Sequence, residues 1–397
     1  MSVKIMAVNA GSSSLKFQLF NMPEEEVITA GNVERIGLDD AIFTIKVNGV
    51  KKQQVLPIKD HGVAVQKLLD ALISEHIISS YDEIKGVGHR IVQGGWYFSD
   101  SCLVDDTVID EIEELCDLAP LHNAAHLIGI RAFMKALPNV ANVTVFDTSF
   151  HQTMPKENFM YAIPYEWYEK YHIRKYGAHG TSHKYVSRLC AEAMGEDISK
   201  LKIVTCHIGN GASLCAIEGG KCVDTSMGLT PLEGIPMGTR SGNLDPTVVS
   251  YICNKLNLDA TTVVNMLNKK SGYLGISGIS NDSRDLENAL NEGNELAKLA
   301  LDIQYKRIAD YIGSYYVLLK GIDAIVFTAG IGENSPRMRQ EVCDRLSVLG
   351  VKLDPEANKK RGEFSLISAP DSKIKVYLIP TNEELVIARD VVRLANL

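Results

Sequence analysis

Twice along this chain an apolar strand runs into a turn of small residues and returns as a second strand. The first instance opens the sequence. Ile5 to Val8 is apolar, Gly11-Ser12-Ser13-Ser14 is small and hydroxyl-rich, and Leu15, Phe17 and Leu19 then alternate with polar residues at strand period. The second instance begins at Lys202. Ile203 to His207 leads into Gly209-Asn210-Gly211-Ala212-Ser213 and then into Leu214 to Ile217. Aligning Ser213-Leu214 on Ser14-Leu15 lays one hairpin over the other. A Gly and Ser turn between strands leaves backbone N–H groups and hydroxyls with no bulk in the way, which is a cradle for phosphate. Lys16 adds a cation beside the first cradle. Either turn alone is also an ordinary small-residue hairpin. As a pair they predict an α/β chain made of two copies of one domain, with ligand bound in a cleft between the copies.

The length and composition agree. A chain of 397 residues is expected to form two domains, and 45% hydrophobic with 23% charged residues supplies their cores. The net charge of −8 argues against nonspecific nucleic-acid binding and requires an anionic substrate to be met by locally placed cations or a metal. No apolar run approaches the roughly 18 residues of a membrane span, and the N-terminus lacks the basic and apolar regions of a signal peptide. Eight cysteines occur with no CxxC pair, and Cys206, Cys215 and Cys222 read as small buried apolar residues. A reducing cytoplasm and no membrane partner are therefore expected.

Short strands are expected over residues 1–57, with turns at Gly11, Gly31 and Asn48-Gly49. Helices follow over 60–77, 105–117 and 122–136, and strands over 84–91 and 143–147. A long helix over 292–319 stops at Gly321. A buried strand, Ala324 to Thr328, then runs into a Gly-rich turn. A strand from Ile374 to Ile379 and a helix from 382 close the chain.

Several constellations carry chemistry. The GxxxxGK[ST] loop is absent, and Gly330-Ile331-Gly332 has Ser335 where a dinucleotide fingerprint has its third glycine. Ser335-Pro336 nonetheless reads as an N-cap followed by proline at the first helical position. Strand, Gly-x-Gly and helix N-terminus together suit a nucleotide. His179 and His183 stand four apart, but Gly180 occupies the place of a zinc protease's glutamate, so His179 reads better as an oxyanion donor before a helix. His122 and His126 share that spacing, and His126 reads as an ordinary satisfied residue. Arg90 in Gly88-His89-Arg90 and Arg240 in the glycine-rich Gly238 to Gly242 suit phosphoryl or carboxylate oxygens, with structural salt bridges as the alternative. Asp147 ends a strand beside Thr148 and Ser149, a site-type position. Thr381 and Glu384 fit a capping box, which leaves Glu383 available for a hydrated Mg²⁺.

Together these residues resemble the acetate kinase family from end to end. The resemblance rests on VNAGSSSLKFQLF, GHRIVQGG, APLHN, VFDTSFHQTMP, YGAHGTSHKYV, HIGNGAS, DTSMGLTPLEG, GTRSGNLDP, FTAGIGENSPRMR and PTNEEL, in that order. It implies the duplicated actin/hexokinase/Hsp70-like fold, related to ribonuclease H. One lobe would be residues 1–147 with helix 385–397, and a nucleotide-binding lobe would be 148–384. It also implies reversible transfer of the ATP γ-phosphoryl group to acetate, with Mg²⁺ or in its place Mn²⁺, in a cytoplasmic homodimer.

Residue roles follow from the same resemblance. Asn9 and Glu383 would lie near the metal. Ser12, Ser14 and Lys16 would form the first phosphate hairpin. Arg90 and Arg240 would hold the acyl carboxylate and the phosphoryl group, with Asp147 as the essential carboxylate. His179 would donate to the phosphoryl group and His122 would be a weaker donor. His207, Asn210 and Gly211 would serve the nucleotide phosphates. Asp282, Ser283, Arg284, Gly330, Ile331, Gly332 and Asn334 would surround the adenosine. Val92, Leu121, Ala178 and Pro231 would line the acyl pocket. Ala178 is small where some members carry Phe, whereas Val92 is larger than the residue typical of propionate-preferring relatives. A carboxylate needs no general base at pH 7, so direct in-line transfer is expected over a phosphoenzyme. A propionate or other short-chain acyl kinase is the alternative within enzymes. An Hsp70-like ATP-driven binding protein is the alternative from another class, and it expects a peptide-binding extension and ATP turnover without carboxylate.

Overall fold

The first hairpin forms as its pattern predicts. Strand β1 (Val3–Gly11) pairs antiparallel with β2 (Ser14–Met22) from Val3↔Met22 to Gly11↔Ser14, so Ser12 and Ser13 alone make the turn. Leu15, Phe17 and Leu19 face the core at strand period. The sheet continues antiparallel through β3 (Glu26–Glu34), β4 (Ala41–Val47) and β5 (Val50–Leu56). On the other side of β1, strand β6 (Ile84–Ile91) runs parallel to it, and β8 (Ala141–Phe146) runs parallel to β6, with the short β7 (Cys102–Leu103) at the edge.

The computed structural model describes residues 2–119 and 122–397. The chain divides into two units, Met1–Ser149 with Asn382–Leu397, and Phe150–Thr381. The second unit holds its own sheet: β9 (Lys202–Ile208), β10 (Ala212–Glu218), β11 (Lys221–Thr225), β12 (Ala324–Thr328), β13 (Ser365–Leu366) and β14 (Lys375–Leu378). The two sheets are ordered β5-β4-β3-β2-β1-β6-β8-β7 and β11-β10-β9-β12-β14-β13. Within them β3-β2-β1-β6-β8 and β11-β10-β9-β12-β14 match strand for strand: three antiparallel, then two parallel. The duplication is thus in the topology itself. The parallel steps need crossovers, made in unit 1 by helices His61–Ser74 and Asn123–Ala136 and in unit 2 by Glu295–Leu318 and Pro336–Arg345. Leu68, Leu69, Leu72 and Phe133 close one core over Met6, Val8 and Val87, and Ile308, Ile312 and Met338 close the other over Cys206, Ile325 and Phe327.

Four expectations change. Gly31 lies within β3, not in a turn; a Cβ there would sit 2.3 Å from the Thr44 carbonyl oxygen and 2.7 Å from the Phe17 ring, so the glycine admits that ring. Gly330-Ile331-Gly332 opens a short helix, Ala329–Asn334. The last helix, Glu383–Ala395, is capped by Asn382, whose side chain accepts from Leu385 N at 3.1 Å, and not by Thr381. Asn382 to Glu384 accordingly belong with unit 1.

That helix lies on β6 through two glycines. A Cβ at Gly86 would come within 2.3 Å of Val391, and one at Gly88 within 2.3 Å of Ile387 and 2.8 Å of Val391. Both neighbours are buried and branched at Cβ, so they cannot swing aside. Gly88→Ala is expected to cost about 1–3 kcal/mol through overpacking, read as a lower urea midpoint at unchanged slope. An unchanged midpoint would show that the helix shifts freely.

Candidate active site

In unit 1 the candidate residues stand at the C-terminal ends of the parallel strands. Arg90 is next to last in β6 and Asp147 follows the end of β8. Because β6 and β8 are neighbours, the two side chains meet: Arg90 Nε donates to Asp147 Oδ1 at 3.0 Å and Nη2 to Oδ2 at 2.6 Å. Asp147 is 1% exposed, so this bidentate pair is what keeps its charge tolerable. Burial alone would lower the Arg90 pKa; the Asp147 charge overcomes it and holds the guanidinium above its usual value.

Glu383 is the first residue of its helix, one turn before Ile387, which covers Gly88. Among the described residues its Oε1 is buried without a hydrogen-bond partner. Burial pushes its carboxyl up to about 7; Arg90 pulls it down, while Asp147 and Glu384 push it further up. Asn9 is half-buried in β1, opposite Lys16. Ser12 and Lys16 are exposed and Ser14 is half-buried at the hairpin. Two carbonyls at the end of β1 are held by histidines: Gly11 O lies 2.7 Å from His61 Nε2, and Ala10 O lies 2.8 Å from His126 Nδ1. His126 is therefore not the satisfied residue expected. It is 4% exposed, and its Nε2 is buried with no partner among the described residues. Burial, then the nearby Arg90 charge, lowers its pKa to about 4. His122 is exposed just before the helix Asn123–Ala136, and Val92 is half-buried. Leu121 lies outside the described residues.

In unit 2, His179 caps the helix Gly180–Met194 from a left-handed conformation, φ 58° and ψ 23°. Such a conformation costs a residue with a Cβ about 1–3 kcal/mol and persists where the surroundings impose it. His179 Nδ1 lies 2.8 Å from Ser213 Oγ, and its ring stacks on His207 at 4.1 Å. His183 Nε2 is also 2.8 Å from Ser213 Oγ, so the two histidines of the spaced pair converge on a hydroxyl. His207, buried in β9, is 2.8 Å from Ser182 Oγ, which Thr381 Oγ1 contacts at 2.8 Å. A Cβ on Gly211 would lie 3.5 Å from Arg240 Nη1 and 3.7 Å from His179 Nε2, so the second hairpin, the arginine and the histidine face one point.

Arg240 is half-buried. Nη1 donates to the carbonyl of half-buried Pro231 at 3.3 Å, and among the described residues it forms no ion pair. Burial lowers its pKa. The structural salt bridge thus describes Arg90 but not Arg240. Ala178, 3% exposed, packs in the core of unit 2.

A cavity of about 520 Å³ lies at the turn after β12, within the size range of small-ligand sites. It brings together Asn210, Asp282, Ser283, Arg284, Gly330, Ile331 and Asn334. Gly332 is buried behind it, against Cys206 and Phe327. Asp282 caps the helix Ser283–Asn291, and Ser335 caps Pro336–Arg345 by accepting from Met338 N at 3.1 Å. Three contributors carried no signal in the sequence. Arg361 and Glu287 line the cavity; Arg361 donates to Asn334 O at 2.7 Å, and Glu287 accepts from Ser335 Oγ at 2.5 Å. Glu333 Oε1 accepts from Ala329 N at 2.8 Å and Thr381 N at 3.2 Å, tying the turn after β12 to the segment after β14.

Among the described residues one group of metal-type ligands comes together, His151, Cys215 and Cys222. Their atoms already satisfy one another: Cys215 Sγ lies 3.4 Å from Cys222 Sγ, which lies 3.2 Å from His151 Nδ1. Cys222 is therefore more than a small apolar residue. Burial would raise its thiol, but Cys215 and His151 hold it at about 6. No helix among the described residues is long and apolar enough to cross a membrane.

Two copies of one such unit is the build of the actin/hexokinase/Hsp70 phosphotransferases, and this chain is one of that class by fold. A model described as the Acetokinase family matches residues 4–389, and the chain belongs to that family. It is 60% identical over 394 residues to an acetate kinase of a Geobacillus species, covering 99% of both chains. Among solved structures it is similar to Porphyromonas gingivalis acetate kinase, with TM-score 0.95 and 43% identity over 99% of this chain and 100% of that one. A Francisella tularensis propionate kinase gives TM-score 0.93 and 41% identity over 99% and 100%.

The Glu383 carboxyl yields a pH prediction. Folding raises it from 4.5 to about 7, so its contribution to stability is present below pH 4.5 and lost as pH rises through 7. In metal-free protein, Glu383→Gln should abolish that loss, so its Tm should gain on the native protein's between pH 5 and 8. Parallel Tm curves would show that the carboxyl is already compensated.

Proposed function

We infer that this protein is an acetate kinase, transferring the γ-phosphoryl group of ATP reversibly to acetate to give acetyl phosphate and ADP. The observation that carries this reading is the half-buried Arg240, without an ion pair among the described residues, facing the same point as His179 and the Gly211 hairpin. A cation left uncompensated on a chain of net charge −8 calls for an anion. The family match over nearly the whole chain supports acetate as the acceptor.

The chemistry suits these groups. Acetate is already ionised at neutral pH, so no base is needed, and catalysis is positioning and charge stabilisation. His179 and Arg240 would hold the phosphoryl oxygens, and the cavity after β12 would take the nucleoside. Arg90, anchored by Asp147, would orient the acyl carboxylate beside Val92. The orphaned Glu383 Oε1 fits a divalent cation, so Glu383 with Asn9 would hold Mg²⁺, which supplies charge neutralisation at the phosphates. Asp147 is a poor candidate for phosphorylation because Arg90 occupies both its oxygens. That supports direct transfer over a phosphoenzyme. A homodimeric, cytoplasmic enzyme is supported by the family resemblance.

Acyl phosphate trapped with hydroxylamine, from Mg-ATP with acetate, propionate or butyrate, tests the acceptor. Product should be greatest with acetate and fall with chain length, by modest factors because one methylene is worth about 1–3 kcal/mol. Arg240→Ala should lower kcat roughly 100- to 1,000-fold, and Arg240→Lys should restore little of it. A propionate preference would change the acceptor, and ATP loss without acyl phosphate would sink the reading.

A further inference from the structure

Behind His179 runs a chain of buried polar groups. His179 Nδ1 lies 2.8 Å from Ser213 Oγ, Ser213 Oγ lies 2.8 Å from His183 Nε2, and His183 Nδ1 lies 2.7 Å from Thr205 Oγ1. Thr205, Ser213 and His183 are fully buried, on β9, on β10 and in the helix Gly180–Met194. Burial and its histidine neighbours keep the His183 pKa well below the usual value, so that ring is neutral and carries one proton.

Only two directions of donation satisfy such a chain, because each hydroxyl and each neutral ring has one hydrogen to give here. In one, Thr205 donates to His183 Nδ1, His183 Nε2 donates to Ser213, and Ser213 donates to His179 Nδ1. His179 then carries its proton on Nε2. In the reverse direction His183 donates to Thr205. The Thr205 hydroxyl has no other contact among the described hydrogen bonds, so its hydrogen would be stranded in the core. A buried donor without an acceptor costs about 1–3 kcal/mol, which selects the first direction.

We propose that Thr205, His183 and Ser213 are positioning residues that hold His179 as a neutral imidazole with its proton on Nε2, the atom facing Gly211 and Arg240. The proposal rests on the reading of His179 as a donor to the transferring phosphoryl group. A further contact agrees with a neutral ring. Arg240 Nη1 and His179 Nε2 lie within 3.5 and 3.7 Å of one point, so the guanidinium disfavours a second positive charge there. A neutral imidazole still donates one hydrogen bond, and its partner tautomer would present a lone pair to the phosphoryl oxygens instead.

The test is the tautomer itself, read from ¹H–¹⁵N long-range spectra of the full-length ¹⁵N-histidine-labelled enzyme, with His179→Asn assigning the signal. The native enzyme should show His179 protonated on Nε2. Thr205→Val keeps the shape of the side chain and removes the first donor, and Ser213→Ala breaks the chain at its middle. Both should move His179 toward the Nδ1 tautomer and lower kcat roughly 10- to 100-fold with a smaller change in KM for ATP. Thr205→Ser should restore both tautomer and rate. An Nε2 proton that persists in Thr205→Val and Ser213→Ala overturns the proposal whatever the rates. A native rate in His179→Asn would instead overturn the role given to His179, leaving the tautomer result to stand separately.

Discussion

The ion pair between Arg90 and Asp147 is the interaction on which unit 1 turns. A carboxylate that is 1% exposed requires a partner, and the fold supplies one because parallel neighbours β6 and β8 end side by side. The pairing spends both oxygens of Asp147 on one guanidinium. Glu383 is then left beside a cation already compensated, and its own burial goes largely unopposed. One pair thus accounts for a fixed arginine, a carboxylate unsuited to attack, and a second carboxylate with an unmet oxygen.

Unit 2 solves a different electrostatic problem. Behind His179 its buried polar groups are hydroxyls and imidazoles linked in series, and a neutral chain of this kind avoids the desolvation of charge. Arg240, which faces the same point as His179, is left without a carboxylate among the described residues. The first unit pairs its Arg90 internally, and the second leaves Arg240 for a ligand.

Features set by local chemistry were legible in the sequence. The two hairpins, the Ser335-Pro336 helix start and the strand-end positions of Arg90 and Asp147 each depend on a few neighbouring residues. Features set by distant contacts were not. Gly31 looks like a turn until Phe17 and Thr44 are seen against it. Thr381 fits a cap by spacing, yet it is held by Glu333 and Ser182, 48 and 199 residues away, and Asn382 takes the cap. His183 resembles half of a metal pair because its partners, Thr205 and Ser213, lie 22 and 30 residues on.

The duplication also explains why two of the candidate residues sit where they do. In each copy the chain leaves the fifth strand of the shared pattern and passes into the other unit, where it forms a helix. After β8 of unit 1, past the short helices Lys156–Phe159 and Tyr165–Tyr171, comes Gly180–Met194 of unit 2, and after β14 of unit 2 comes Glu383–Ala395 of unit 1. His179 and Glu383 occupy the starts of these two helices, so they are equivalents in the repeat. A helix N-terminus favours negative charge. Glu383 supplies that charge from the protein. His179 adds a donor to the same kind of position, which leaves the negative charge to come from a ligand.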